Sequence, residues 1–300
     1  MDEIEIFDPR MQRILGPHSR LQRLCGGAQW SEGPVWLAAQ DCLVWSDIPN
    51  DRMLRWSERD GLGVFRQPAH FSNGNYLDRE GRLLSCEHGR RCISRTAADG
   101  RVEVLVGSYQ GGRLNSPNDL VVKSDGSIWF SDPAYGIMSD REGHLAESEQ
   151  DGCHVYRFDP QSQQLSRVAD DFEKPNGLAF SPDESLLYVS DTSASHAADG
   201  CHHIRVFDVQ GGRRLANGRL FAVIAPGLPD GFRVDQQGWL YVSSADSIQV
   251  FAPDGCRLGK IPVPEKVSNC TFGGAAGNRL FITASTSLYA ISLNTRGCKS

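Results

Sequence analysis

Several signals that identify other classes of protein are missing from this chain of 300 residues. Its apolar runs are long enough only for strands, so we expect no transmembrane helix and no membrane partner. The formal net charge is −6, which argues against nucleic-acid binding because that function needs a basic face. The N-terminal residues are acidic and polar, so no signal peptide is predicted.

Familiar catalytic and metal-binding motifs are also missing. The nine cysteines are widely spread, and no pair has the two-residue spacing of a zinc knuckle or a redox dithiol. We therefore predict reduced thiols and a cytoplasmic protein. The sequence has no nucleophile elbow, zinc-protease motif, phosphate-binding loop, dinucleotide fingerprint or EF-hand. Any chemistry must come from residues outside these motifs.

What the chain does contain is a repeated pattern of short strands. Between residues 174 and 192, apolar residues occur at every second position on both sides of a turn, the period of a half-buried strand. Similar strand pairs occur six times, each followed by a third strand and mostly by a fourth. Four strands recurring roughly every 40 to 58 residues are typical of a β-propeller. The sequence predicts an all-β fold, a six-bladed β-propeller.

The repeats account for nearly the whole chain as one domain, residues 20–300. The chain ends soon after the third strand of the sixth repeat, so the outer strand of that blade is missing from its own repeat. We expect residues near Leu21 to Cys25 to supply it, which closes the ring and removes an open sheet edge. Residues 1–19 are predicted to be an N-terminal tail or a cross-over segment laid across the body.

One position of the repeat carries an oxygen-bearing side chain in every blade. Because the first strand of each blade lines the central channel of a propeller, these residues should form a ring at the start of the inner strands. None of them is basic, and two carboxylates without a compensating cation repel each other and are costly to bury. The donor types suit a hard divalent ion such as Ca²⁺, Mg²⁺ or Mn²⁺. The ring consists of Glu32, Asn73, Asn118, Asn176, Asp230 and Asn269.

A purely structural interpretation applies to single members of this ring. An Asn before Gly is an ordinary turn residue, and Asn73 and Asn269 fit that role best. Six such positions in register, two of them acidic, favour a functional ring.

The second strand of each blade returns to the same face as the ring. Residues at its end could contact a polyhydroxylated ligand, surround a metal site or cap a turn. The two longest loops, residues 133–152 and 193–202, should rim the channel. Substrate contact is predicted for four of the residues at these strand ends, and Asp47 and Asp191 occupy matching positions. The four are Glu87, His88, Asp132 and Tyr135.

Five segments together resemble the gluconolactonase/regucalcin (senescence marker protein) family, in its bacterial gluconolactonase branch. The resemblance implies a six-bladed propeller and a lactonase that depends on calcium or another divalent cation. It implies that Glu32, Asn176 and Asp230 ligate the metal, that Asn118 contacts substrate or metal, and that Asp230 is the catalytic acid/base. The segments are WSEGPVW at 30–36, LNSPNDL at 114–120, WFSDP at 129–133, PNGLAFS at 175–181 and PDG at 229–231.

The predicted function is hydrolysis of a sugar lactone, similar to gluconolactone, to its aldonic acid. The cation, predicted as Ca²⁺ with Mg²⁺, Mn²⁺ or Zn²⁺ as alternatives, polarises the carbonyl while an activated water attacks. The base is Asp230, a water on the cation or another carboxylate such as Asp132. We expect a monomer or weak homodimer. The alternatives are a related hydrolase of other lactones, aryl esters or phosphotriesters, and a non-catalytic propeller that serves as a binding module.

Overall fold

The protein forms a six-bladed β-propeller, as predicted. The computed structural model describes residues 3–298. Within them, each blade is an antiparallel sheet whose strands follow one another from the channel to the outside. Blade one consists of Ser31–Leu37, Cys42–Asp47, Arg52–Ser57 and Gly61–Arg66; blade two of Ser72–Leu77, Leu83–Glu87, Cys92–Thr96 and Val102–Val106; blade three of Leu120–Val122, Ile128–Asp132, Cys153–Asp159 and Gln164–Phe172.

The second half of the ring repeats this arrangement, but blades five and six also use strands from the N-terminal part of the chain. From the channel outwards, blade four consists of Pro175–Phe180, Leu186–Asp191, His203–Gln210 and Arg214–Val223; blade five of Phe232–Val234, Leu240–Ser243, Ser247–Phe251, Arg257–Pro262 and Glu5–Ile6; blade six of Val267–Gly273, Arg279–Ala284, Ser287–Ser292 and Gln22–Gly26.

An N-terminal strand closes the ring, which confirms the prediction. Gln22–Gly26 pairs antiparallel with Ser287–Ser292, with Gln22 opposite Ala290. Blade six is thus assembled from both ends of the chain. Hydrogen bonding between these distant segments holds the first and last repeats together and leaves no three-stranded blade.

The segment before this strand lies against blade five. Glu5 pairs with Lys260 at the outer edge of the sheet. A 3₁₀ helix, Pro9–Ile14, follows and is capped by the Asp8 carboxylate, which accepts a hydrogen bond from the Arg10 N–H. Met11 is fully buried among apolar residues of blades five and six. The described part of this segment is therefore anchored by a sheet edge and a buried side chain.

The remaining regular elements are short. A two-stranded hairpin formed by Ser108–Tyr109 and Gly112–Arg113 lies in the connection between blades two and three. No helix within residues 3–298 is long and apolar enough to cross a membrane. The other 3₁₀ helices are Ala38–Gln40, Ile48–Asn50, Tyr135–Ile137 and Ser193–Ser195.

The core lies between neighbouring blades, because both faces of each sheet are covered. Aromatic rings cross these contacts: Trp129 of blade three meets Phe180 of blade four edge to face at 5.5 Å. Trp36 of blade one stacks on Phe281 of blade six at 5.3 Å. Such pairs fix the spacing between sheets beyond what apolar burial alone provides.

The inner strands all run in the same direction along the channel, so the channel has two different ends. We call the end where these strands begin the upper mouth, and the end where they finish the lower mouth. In blade one, Glu32 lies near the start of the inner strand and Trp36 near its end. The predicted ring therefore belongs to the upper mouth.

The buried Met11 should be important for stability although it lies far from the channel. Met11→Ala leaves a cavity, and we expect the free energy of unfolding to fall by about 2–5 kcal/mol, measured by urea denaturation. The matched control is Leu220→Ala, because Leu220 is 61% exposed on an outer strand and its truncation should change stability by less than about 0.5 kcal/mol. Equal effects of the two changes would contradict the proposed anchoring.

Candidate active site

A cavity of about 350 Å³ opens at the upper mouth. Its base is formed by residues at the start of the inner strands, and residues from both long loops complete its wall. The predicted rim therefore forms as the sequence suggested, with Tyr135 from one loop and Ser195 from the other. Five of the six predicted ring residues line it: Glu32, Asn73, Asn118, Asn176 and Asp230.

Glu32 is buried at the base of the cavity. Its Oε2 accepts hydrogen bonds from the Gly33 N–H at 2.7 Å and from the Asn269 amide at 3.1 Å. Burial, reinforced by the negative charge of Asp230, raises the pKa of Glu32 well above its usual range. Because the Glu32 and Asp230 carboxylates share this space, they are most stable when a proton or a cation compensates their negative charge.

Asp230 is the second carboxylate of this pair. Burial raises its pKa to about 7, and the negative charges of Asp119 and Glu142 act in the same direction. The positive charge of Lys266 and a hydrogen bond from Asn176 oppose that rise in pKa. Asp230 therefore sits in the range in which a carboxyl group can take up and release a proton near neutral pH.

Two amides complete the set of oxygen donors. The Asn176 Nδ2 donates to Thr192 Oγ1 at 3.1 Å, which leaves its Oδ1 as an acceptor. Asn118 is 5% exposed, and within residues 3–298 its side-chain amide has no hydrogen-bond partner. Because Asn118 lines the cavity, its amide is available to bond to a ligand there.

His88 is a neutral hydrogen-bonding residue in this wall. Burial lowers its pKa to about 4. Its Nδ1 lies 2.8 Å from the Glu142 backbone oxygen and therefore donates to it. The Nε2 is then the acceptor for the Asn73 amide at 3.3 Å. His88 thus holds the loop of blade three over the cavity.

Tyr135 is fixed in the same way by the second loop. Its hydroxyl lies 2.8 Å from Thr192 Oγ1 and 2.9 Å from Ser195 Oγ. Lys174 lies over the ring, 4.7 Å from its centroid. Burial raises the pKa of Tyr135 above its usual value, so the hydroxyl stays protonated and can donate a hydrogen bond.

The structure places Glu87 away from the cavity lining. Its carboxylate is fully buried between strands of blade two, where Ser94 Oγ donates to it at 2.6 Å and Arg90 forms a bidentate pair with it. These partners satisfy the carboxylate within the blade. The sequence predicts correctly that Glu87 ends the second strand, but it does not predict that its side chain points into the blade.

Asp132 also lies outside the cavity lining, and it shares its role with Asp47 and Asp191. Each of these buried aspartates ends a second strand and accepts backbone N–H bonds from the segment that leads into the inner strand of its own blade. Of the roles considered for these strand ends, the structure shows turn capping. The N–H donors to the three carboxylates are those of Gln29 at 2.8 Å, Asn115 and Ser116 at 2.8 Å each, and Glu173 at 2.9 Å.

These aspartates determine where the cavity residues stand. The residue whose N–H is bound lies three positions before a cavity residue in each blade. Gln29 precedes Glu32, Asn115 precedes Asn118, and Glu173 precedes Asn176. Charge-assisted hydrogen bonds to buried carboxylates are stronger than neutral ones. The strand-end aspartates therefore fix the backbone that leads to these cavity residues.

A cation from outside the six ring positions also lines the cavity, namely Lys266. It lies just before the inner strand of blade six, and its ammonium is 5.3 Å from the centroid of Trp30. Arg141 and Glu142 of the blade-three loop were missed as well. Lys266 could have been found from its position beside the repeat, whereas loop residues have no repeat position to mark them.

The sixth ring residue, Asn269, lies deeper in the channel. Its amide donates to Glu32 and is 3.4 Å from Asp119 Oδ2. Asp119 in turn is 3.4 Å from Arg233 Nη1. Asn269 thus separates the acidic upper mouth from a buried ion pair below it.

The donor set fits a hard divalent cation. Glu32 and Asp230 supply carboxylate oxygens, and Asn118 and Asn176 supply amide oxygens, the ligand types that Ca²⁺ and Mg²⁺ prefer. Within residues 3–298, no cluster of three or more His, Cys, Asp or Glu side chains is arranged for a metal. A site here would therefore depend on the amides as much as on the carboxylates.

The fold and the cavity together define a six-bladed β-propeller with an acidic, oxygen-lined pocket at one end of its channel. The chain belongs to the SMP-30/gluconolactonase/LRE-like family, whose model matches residues 30–286. This confirms the resemblance inferred from the sequence.

Individual relatives agree with this membership. The chain is 33% identical to the gluconolactonase of Zymomonas mobilis, over 98% of this chain and 87% of that protein. It is 29% identical to a 6-deoxy-6-sulfogluconolactonase of Pseudomonas putida, over 85% of this chain and 82% of the relative. The solved structure of a gluconolactonase from Xanthomonas campestris is 46% identical and superimposes with a TM-score of 0.91, covering 97% of this chain and 95% of that one.

The support from the strand-end aspartates can be tested by Asp191→Asn. An amide cannot accept all the N–H bonds that the carboxylate accepts, so the free energy of unfolding should fall by about 1–3 kcal/mol, measured by urea denaturation. Asp199→Asn is the matched control, because Asp199 is exposed in the loop that follows the same strand. If Asp191→Asn is as stable as this control, the aspartate does not hold the segment before Asn176.

Proposed function

We propose that the protein hydrolyses a sugar lactone, similar to gluconolactone, to the corresponding aldonic acid at the upper mouth. The observation that carries the proposal is the pair of buried carboxylates, Glu32 and Asp230, facing one cavity together with the amides of Asn118 and Asn176. In a family whose relatives are named as lactonases, this arrangement supports a carboxylic ester hydrolase.

The cavity wall supports a polyhydroxylated substrate rather than an aryl ester. Hydroxyl and amide groups line much of it, including Tyr135, Thr192 and Ser195. The apolar part of the lining consists of Trp30, Ile48 and Leu228. Its volume of about 350 Å³ lies within the range of small-molecule sites.

Glu32, Asn176 and Asp230 would hold the divalent cation, with Asn118 as a further contact to cation or substrate. When bound, such an ion polarises the lactone carbonyl as a Lewis acid. The chain itself contributes the ligand oxygens and keeps their positions through the partners of each side chain. Ca²⁺ suits this set of carboxylate and amide oxygens, and Mg²⁺ or Mn²⁺ offers the same chemistry.

Asp230 is the residue we propose for proton transfer. In the reaction, a water adds to the carbonyl carbon, the bond from that carbon to the ring oxygen breaks, and the ring oxygen takes a proton. Asp230 can accept the proton of the attacking water and return it to the leaving oxygen. The positive charge of Lys266 favours the ionised form of Asp230, the form that acts as a base.

Two residues are proposed to orient the substrate. Tyr135 presents a protonated hydroxyl held by Thr192 and Ser195, suited to hydrogen bonding with a sugar hydroxyl. His88 stays neutral because of its low pKa and positions the loop above the site. We also propose a cytoplasmic location, since buried cysteines such as Cys42, Cys86 and Cys92 are free thiols.

The proposal predicts that purified protein releases acid from an aldonolactone. A panel of glucono-, galactono-, xylono- and arabinonolactone should be followed by pH-indicator absorbance, corrected for spontaneous hydrolysis. We expect at least one lactone to be hydrolysed, and a chelator to abolish the rate because the ligand oxygens then hold no cation. If no lactone gives a chelator-sensitive rate, the proposed function is wrong.

The matched variants for this assay are Asp230→Asn and Asp199→Asn. Loss of the proposed acid/base should lower kcat/KM by about 100- to 10,000-fold, whereas the exposed control should keep the wild-type value. Circular dichroism and urea denaturation establish that both variants fold. A folded Asp230→Asn variant with wild-type kcat/KM would remove Asp230 from the mechanism.

A further inference from the structure

Two basic side chains, Arg141 and Lys266, line the cavity of the upper mouth. Arg141 comes from the loop of blade three, and Lys266 directly precedes the inner strand Val267–Gly273 of blade six. Both residues are exposed, in contrast to the buried carboxylates at the base of the cavity. Solvent and ligands can therefore reach these two cations at the rim.

Neither cation is neutralised by a protein carboxylate. Within residues 3–298, Arg141 and Lys266 form no ion pair. The Lys266 ammonium lies over the Trp30 ring, 5.3 Å from its centroid. The hydrogen bond of Arg141 is donated by its backbone N–H, to Ser139 Oγ at 3.3 Å. The guanidinium and the ammonium are therefore both free to bond to a ligand.

A third cation, Lys174, stands at the edge of the same cavity. Its ammonium is 4.7 Å from the centroid of Tyr135 and 3.4 Å from Met138 Sδ. It also forms no ion pair in the part of the chain that the structure describes. Burial and the positive charge of Lys174 lower the pKa of His196, a residue of the lining. The charge of Lys174 therefore acts on the cavity.

Glu142 is the acidic residue of the lining outside the pair at the base. Burial raises its pKa, and the positive charges of Arg141 and Lys266 act in the opposite direction. Both cations thus lie near the same carboxylate. When a proton or a cation compensates Glu32 and Asp230, three cations face one carboxylate at the rim. The rim then attracts anions.

The exposed position of these cations suits an anionic group that keeps part of its hydration, because such a group avoids most of the desolvation cost of a buried ion. A guanidinium can also donate two parallel hydrogen bonds to the oxygens of one anionic group. In the proposed reaction the lactone carbonyl lies at the base of the cavity, beside Asp230. The end of the sugar farthest from the carbonyl then lies nearest the rim.

We propose that the preferred substrate is an aldonolactone with an anionic group, a phosphate, sulfonate or carboxylate, on the carbon farthest from the carbonyl. Arg141 and Lys266 hold this group at the rim through charge-assisted hydrogen bonds. The proposal rests on the lactonase function proposed above and adds the charge of the substrate to it.

The first test compares kcat/KM for glucono-δ-lactone with that for three anionic counterparts, in the pH-indicator assay corrected for spontaneous hydrolysis. The counterparts carry a phosphate, a sulfonate or, in the lactone of glucaric acid, a carboxylate at the terminal carbon. We expect kcat/KM to be about tenfold higher for at least one of them, and the one preferred identifies the group. This ratio should fall in about 0.5 M NaCl because salt screens exposed charges.

Variants of Arg141 locate the preference. Arg141→Gln should lower the ratio of anionic to neutral kcat/KM by about threefold or more, whereas Arg141→Lys, which keeps the charge, should retain most of it. The matched control is Arg213→Gln, which removes the same charge from an exposed turn between the outer strands of blade four. This control should keep the wild-type ratio. Equal ratios in Arg141→Gln and Arg213→Gln would overturn the assignment.

Binding without turnover separates this inference from the lactonase function. Gluconate and gluconate phosphorylated at its terminal carbon are titrated into the protein by isothermal calorimetry. We expect the phosphorylated acid to bind about tenfold more tightly, and Arg141→Gln to reduce that difference to about threefold or less.

The two assays have distinct failures. If lactones are hydrolysed without preference for an anionic group and the two acids bind equally, the inference is wrong and the lactonase function stands. If no lactone is hydrolysed, the lactonase function and the substrate preference are both wrong, and the two acids alone decide whether the rim recognises an anion.

Discussion

The buried strand-end aspartate carries the interaction on which the proposed catalytic mouth depends. In blades one, three and four it accepts backbone N–H bonds from the segment that enters the inner strand. The donor residues lie three positions before Glu32, Asn118 and Asn176. The propeller sheets, rather than the loops, therefore fix the positions of these three residues. The same repeat therefore builds both the fold and the geometry of the cavity.

The charges around Glu32 and Asp230 then determine the protonation of these two carboxylates. Asp230 is held close enough to Glu32 for its charge to raise the pKa of Glu32, and burial adds to the cost of ionisation. Lys266 offsets part of this at Asp230. Lower in the channel, Arg233 balances Asp119. The channel thus has an acidic upper mouth above a buried ion pair.

Much of this was readable from the sequence because it follows the repeat. The alternation of apolar residues predicts the blades, the unfinished last blade predicts ring closure by the N-terminal strand, and one repeat position marks the ring. The directions of single side chains do not follow from the repeat. Glu87 turns into its own blade because Arg90 and Ser94 satisfy it there. Glu142 reaches the cavity from a loop that no repeat describes, and Lys266 lies just outside the repeated strand positions.

The most direct test of the account is to locate a cation in crystals of the protein grown with Mn²⁺, using anomalous diffraction. The account predicts one strong anomalous peak at the upper mouth, within bonding distance of oxygens from Glu32, Asn176 and Asp230. That peak should disappear in crystals of Asp230→Asn. A manganese peak elsewhere in the molecule with none at these three residues would contradict the claim that the oxygen ring is the catalytic centre.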